Sequence, residues 1–226
     1  MVSRNSFFSK TLFWKTVTRF WPLWAAYLAA WTLSFPVVLF GELDSGVNGR
    51  DLFSFVYDQA GPVGIVFSAI VAIMAAMAIF SHLYTPRAAG GFAVLPIRRE
   101  GVYLSHFTAA LACLSAANVL VFLMAALVEL AFGCLTPGPL FTWLAAVTML
   151  NIFFLGFASF CAQLTGSILV LPAVYAVLNF VAVVVESIGR SMLELIVFGM
   201  SNTHLRFTEL SPAVYLFQNC GSMTEW

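Results

Sequence analysis

The sequence predicts an all-α, polytopic transmembrane helix bundle, with five spans following an N-terminal interfacial helix. Three observations predict it. Hydrophobic residues make up 62% of the 226 positions and charged residues only 9%, against roughly 25% charged in soluble domains. A soluble fold of this size needs a charged surface that so few charges cannot cover, so the outside must face lipid. Next, the apolar residues fall into runs of membrane-crossing length, parted by short polar stretches. Finally, net charge is zero, but lysine and arginine are unevenly shared among those polar stretches.

Residues 1–19 carry Arg4, Lys10, Lys15 and Arg19 and no acid. On a helical projection Phe7, Phe13, Trp14, Val17, Phe20 and Trp21 gather on one half. Thr11, Lys15, Thr16, Thr18 and Arg19 fall on the other, while Phe8, Lys10 and Leu12 break the separation. This pattern suits a basic helix lying in the cytoplasmic headgroup layer. A signal peptide is disfavoured, because the following apolar run is too long for an h-region and lacks an A-x-A site.

Phe20 to Gly41 is 22 residues without a charge, about 33 Å of helix and enough for one span. Trp21, Trp24 and Tyr27 read as interfacial aromatics at its inner end. Pro36 is a candidate kink. Glu42 to Asp58, with Glu42, Asp44, Asp51, Asp58 and Gly46-Val47-Asn48-Gly49, reads as a polar loop. Span two is Gln59 to Ser81.

A polar island, His82 to His106, follows and carries Arg87, Arg98 and Arg99. Beyond it the apolar run is too long for one crossing. Breaks at Gly133-Cys134-Leu135-Thr136-Pro137-Gly138-Pro139 and at Gln163-Leu164-Thr165-Gly166-Ser167 divide it into spans of about 102–132, 140–162 and 168–188. Ser191 to Met200 is too short to cross and reads as an interfacial or re-entrant segment; residues 190–226 as a whole read as extracytoplasmic or re-entrant. With the N-terminus inside, the inner segments hold Arg4, Lys10, Lys15, Arg19, Arg87, Arg98 and Arg99. The outer ones hold Arg50, Arg190 and Arg206. That asymmetry predicts a cytoplasmic N-terminus.

The chain offers no catalytic chemistry of its own. Its last lysine is Lys15, so it has no G-x-x-x-x-G-K-[ST] loop, and neither H-E-x-x-H nor C-x-x-C occurs. No metal site and no nucleic-acid partner are expected. Cys134 and Cys220 would share the outer side and are a candidate disulfide. Glu129, Glu186 and Glu194 lie near the outer boundary, and two readings stand for them: an outer vestibule, or carboxylates snorkelling to the headgroups. Asn118, Asn151 and Asn179 fall at mid-span positions and are expected to hydrogen-bond between helices. His106 stands at the inner end of span three without an evident partner.

The stretch Leu95-Pro96-Ile97-Arg98-Arg99-Glu100-Gly101-Val102-Tyr103 between spans two and three resembles the ABC-2 type permeases, in which an "lPi-R-re" stretch stands at this place. Glu194-Leu195-Ile196-Val197-Phe198-Gly199 and Leu210-Ser211-Pro212 also look like bacterial members of that group. The resemblance implies the membrane-spanning subunit of an ATP-driven transporter in the bacterial plasma membrane, read as an exporter. It implies pairing with a second permease copy or a paralogue, and docking of separate ABC-type ATPase subunits, which would carry the ATP and Mg. The docking residues would be Leu95, Pro96, Ile97, Arg98, Arg99 and Glu100. Pro96 can open a short helix, Leu95 and Ile97 are apolar anchors, and the arginines can donate to acidic ATPase residues. The rival reading of Arg98 and Arg99 is simple inside-positive anchoring. Such permeases have six spans, so this chain, with five, is expected to be truncated before its sixth span or to be the N-terminal portion of a longer permease. The alternative function is a non-transporting membrane scaffold or sensor partner.

Overall fold

In a bilayer every backbone N–H and C=O must find its partner within the protein, which favours unbroken helices. The computed structural model is accordingly helical, and no strand occurs among the described residues. These are residues 8–46, 49–81, 84, 99–134 and 136–196, without the side chains of 49–53, 99, 182–183, 186, 189–191 and 193–196.

Helix α1 (Lys10–Arg19) opens at Ser9, whose hydroxyl accepts from the Leu12 N–H at 3.5 Å. It ends at Phe20, and α2 (Trp21–Ser34) begins at once with Pro22 in its first turn, where a missing N–H costs nothing. Pro36 opens α3 (Pro36–Asp44) and cannot donate back to Thr32. The Phe35 N–H to Trp31 O and Leu39 N–H to Phe35 O bonds, both 2.9 Å, carry the helix across this interruption. Together α2 and α3 make one candidate span, Trp21–Asp44.

The expected loop at 42–58 is mostly helix. Helix α4 (Gly49–Asp58) runs through a π-helical turn (Gln59–Val63) into α5 (Gly64–Phe80). The reason is visible in retrospect: Leu52, Phe55, Val56 and Ala60 recur at helical spacing, and Asp51 sits in the first turn, where the helix dipole favours an acid. The acids and glycines had masked that period. Pro62 lies in the π turn, where an extra residue accommodates the missing donor.

Helix α6 (Arg99–Ala131) is 33 residues long. At about 50 Å it exceeds a ~30 Å hydrocarbon core. Gly133 (φ +70°) ends it in a Schellman turn: the Cys134 N–H reaches Glu129 O at 3.1 Å and the Gly133 N–H reaches Leu130 O at 3.1 Å. Helix α7 (Pro137–Leu164) starts on Pro137 after Thr136. Helix α8 (Leu171–Ile196) starts three residues later than the expected span and runs eight residues past it. Gly189 does not stop it, because one glycine costs a helix only about 1 kcal/mol. Residues 191–196, expected to begin a separate short segment, therefore continue α8, and residues 197–226 lie outside the described ones.

Among the described residues, four helices are long and apolar enough to cross a membrane: Trp21–Asp44, Ser54–Phe80, Glu100–Ala131 and Pro137–Leu164. Leu171–Val181 is a shorter apolar stretch at the start of α8. The chain is thus a helical, multi-pass membrane bundle by length and composition.

The most extensive helix contact is between α5 and α7. Gly64, Ser68, Ala72 and Ala76 recur every four residues along α5, and all four are buried. Small residues let backbones approach closely where lipid provides no hydrophobic drive. A Cβ on Gly64 would stand 3.2 Å from Gln59 O and 3.5 Å from both Leu150 and Val147. Trp143 of α7 fills the half of the core nearer the α6–α7 turn. It meets Trp31 edge-on at 5.0 Å and stacks on Phe35 at 4.7 Å. Val66, Ile70, Leu123, Leu127, Met149 and Phe180 are among the large apolar side chains left exposed, as a lipid-facing belt requires.

Candidate functional site

The residues that bear on function lie at three levels of the bundle: the end that holds α1, called inner, the middle, and the opposite end, called outer. At the inner end, α1 packs along the start of α6. Ser105 Oγ accepts from the Ser9 N–H at 2.9 Å, while donating to Gly101 O at 2.6 Å. Two turns further along α1, Thr16 Oγ1 lies 2.8 Å from Leu12 O and 2.7 Å from His106 Nδ1. A hydroxyl has one proton to give. Donated to the Leu12 carbonyl, it leaves the Thr16 oxygen accepting from an Nδ1–H of His106. Both Thr16 and His106 are buried. A partner of His106 that the sequence did not reveal is therefore Thr16, which the helical projection had put on the polar half of α1.

This inner joint flanks the polar island. Glu100 is exposed in the first turn of α6. On the island's other side, the Tyr84 hydroxyl donates to Ala162 O at 2.7 Å and lies 3.0 Å from Thr165 Oγ1, at the end of α7. Leu95, Pro96, Ile97 and Arg98 lie outside the described residues, and Arg99 is described only as the first residue of α6.

At mid-bundle, four side chains from three spans form one buried network. The Tyr27 hydroxyl donates to Asn118 Oδ1 at 2.7 Å. Asn151 Nδ2 donates to that same hydroxyl at 2.8 Å, and Asn118 Nδ2 donates to Thr148 Oγ1 at 3.3 Å. Asn118 and Asn151 thus bridge helices as expected. Asn179 Nδ2 instead donates to Tyr175 O, within α8, at 2.9 Å. The centre of the network is Tyr27, which the sequence suggested as an interfacial aromatic. Trp24 is buried too, and only Trp21 of that trio is exposed. The signal was the spacing: Trp24, Tyr27 and Trp31 stand at i, i+3 and i+7, one buried helical face. Asn151 Oδ1 and the Ser68 and Ser159 hydroxyls are buried without a hydrogen-bond partner among the described residues.

At the outer end, Glu129 is 0% exposed. Its Oε2 accepts from the Thr136 N–H at 2.7 Å, and the Thr136 hydroxyl lies 3.0 Å from both carboxylate oxygens. The backbone oxygen of the same residue takes the Cys134 N–H at 3.1 Å, with Cys134 Sγ at 3.8 Å. A side chain snorkelling to the headgroups would be exposed, and this one is not. It closes the α6–α7 turn from within, at the positive end of α7. Glu186 and Glu194 lie on α8, and their side chains are outside those described. Cys220, the suggested partner of Cys134, is also outside.

Among the described residues no group of three His, Cys, Asp or Glu side chains could hold a metal ion. No protein-family model, curated protein or solved structure matches this chain.

Proposed function

We propose that this chain is the membrane-spanning permease subunit of an ATP-binding-cassette transporter. Separate ATPase subunits drive it by docking on Leu95–Glu100. The observation that carries this reading is the fastening of both flanks of the polar island. Tyr84 is hydrogen-bonded to the end of α7, while α6 begins at Arg99 and is joined within two turns to α1. A push on the intervening residues would be delivered to three helices at once rather than lost in a slack loop. The Tyr27–Asn118–Asn151 network would then couple α2, α6 and α7 as they rock.

In this reading the N-terminus is cytoplasmic, α8 is the fifth span, the membrane is the bacterial plasma membrane and transport is outward. A second copy or a paralogue would complete the pathway, with the ATP and Mg bound on the ATPase subunits. Glu186 and Glu194 are the acids best placed in sequence to line an outer vestibule.

Co-purification of the full chain with the ATPase encoded beside it tests the reading. Association is expected for the native chain and lost in Arg98→Glu/Arg99→Glu. Association that survives the double reversal overturns the docking site. Absence of any ATPase partner or ATP-dependent flux favours the scaffold function instead.

A further inference from the structure

We infer that the outward half of α1 is a binding surface for anionic phospholipid headgroups. Helix α1 divides cleanly once folded. Thr16 is buried and Leu12, Phe13 and Val17 are partly covered, whereas Lys10, Thr11, Trp14, Lys15, Thr18 and Arg19 are all exposed. At 100° per residue the exposed six fill one continuous half-turn of the helix. Lys10, which disturbed the pattern in sequence, joins Lys15 and Arg19. Trp14, 57% exposed, lies between them rather than on the packed side.

The occupant follows from charge and position. No acid occurs before Glu42, so nothing within α1 or the first half of span one neutralises the three cations. Helix α1 stops one residue before α2 begins, so this face sits where the first span leaves the bilayer. Trp21, 65% exposed, stands at that same level. Exposed tryptophan beside lysine and arginine is the composition that settles at a headgroup boundary, with rings among the glycerol groups and cations on the phosphates. On the opposite half of α1 Thr16 is hydrogen-bonded to His106, and the N-cap Ser9 to Ser105. Lipid charge would therefore press α1 against the base of α6. Each lysine or arginine at an anionic surface is worth roughly fivefold in partitioning, so the three together give about a hundredfold preference over a neutral one.

The test uses the full chain in nanodiscs of phosphatidylcholine doped with brominated phosphatidylglycerol or, at equal bromine content, brominated phosphatidylcholine. The Trp14 signal is the difference between the native chain and Trp14→Phe. Half-maximal quenching is expected at an at least tenfold lower mole fraction of the anionic lipid. That preference should collapse in 1 M salt, where screening acts within about 3 Å. Lys10→Gln/Lys15→Gln/Arg19→Gln should abolish it, whereas Lys10→Arg/Lys15→Arg should keep it, showing that charge rather than folding is responsible. Equal quenching by the two lipids in the native chain overturns the proposal. So does loss of ATPase co-purification in the glutamine variant without any lipid preference in the native chain, which would make α1 a protein-docking face.

Discussion

The two ends of α6 are fastened by opposite means. At its outer end the helix is closed by its own neighbours in sequence, since Glu129 and Thr136 are seven residues apart and the Schellman turn lies between them. At its inner end it is held by a different element, through bonds spanning 96 residues from Ser9 to Ser105 and 90 from Thr16 to His106. A local closure forms with the turn itself and moves with it. A joint between distant segments can open without unfolding either of them. The outer end is thus built as a fixed corner, and the inner end as a joint between two distant segments.

Substitutions that sharpen this contrast should rank by how much buried polarity they strand. Glu129→Ala is expected to cost most, about 3 kcal/mol, because it leaves the Thr136 N–H and hydroxyl without an acceptor and opens a void at a fully buried site. Thermal unfolding of the purified chain in detergent should show this as a clear drop in Tm. A variant as stable as the native chain would mean the corner does not depend on the carboxylate.

Tyr27→Phe comes next. It deletes the hydroxyl that both Asn118 and Asn151 use, and membrane hydrogen bonds of this kind are worth ~0.6–2 kcal/mol each. The same melting measurement should show a smaller loss. A double-mutant cycle with Asn151→Leu should then give a total well short of the sum, because both remove one shared bond.

Thr16→Val should matter least for global stability, about 1 kcal/mol, since it removes only the bonds to Leu12 O and His106 at one end of the bundle. Its effect should be local. Hydrogen exchange across residues 10–19 should quicken while that around 129–136 stays unchanged. If both ends of α6 loosened together, the inner joint would not be the separable element that its long-range bonds suggest.

How far the sequence could be read follows from which forces are local. Pro36, the break after Ala131 and the break at Thr165–Val170 were legible, because proline chemistry, glycine turns and breaker clusters act within a few residues. The stretch at 49–58 was misread, because its polar composition outweighed a short apolar period. Helix α8 ran past Gly189, because a breaker only biases the backbone and does not forbid helix. Asn118 and Asn151 could be picked out as bridging amides by type and depth alone. Tyr27 could not, since a tyrosine near the end of a span is usually at the interface, and only its partners show otherwise.

By itself, then, the sequence determined that this protein is a helical membrane bundle, roughly where most of its apolar helices run, and that it carries no G-x-x-x-x-G-K-[ST] motif. Those follow from hydropathy, run length and residue identity, which need no neighbours. Tertiary structure alone decided that α1 turns Thr16 inward and Lys10, Trp14, Lys15 and Arg19 outward. It also decided that Glu129 is sealed rather than solvated, and that Tyr27 lies between two amides. Helices in lipid gain little from hydrophobic burial against each other, so their pairing rests on small-residue fit and a few hydrogen bonds between distant residues. Such bonds have no period in the chain, and only the packed bundle brings their partners together.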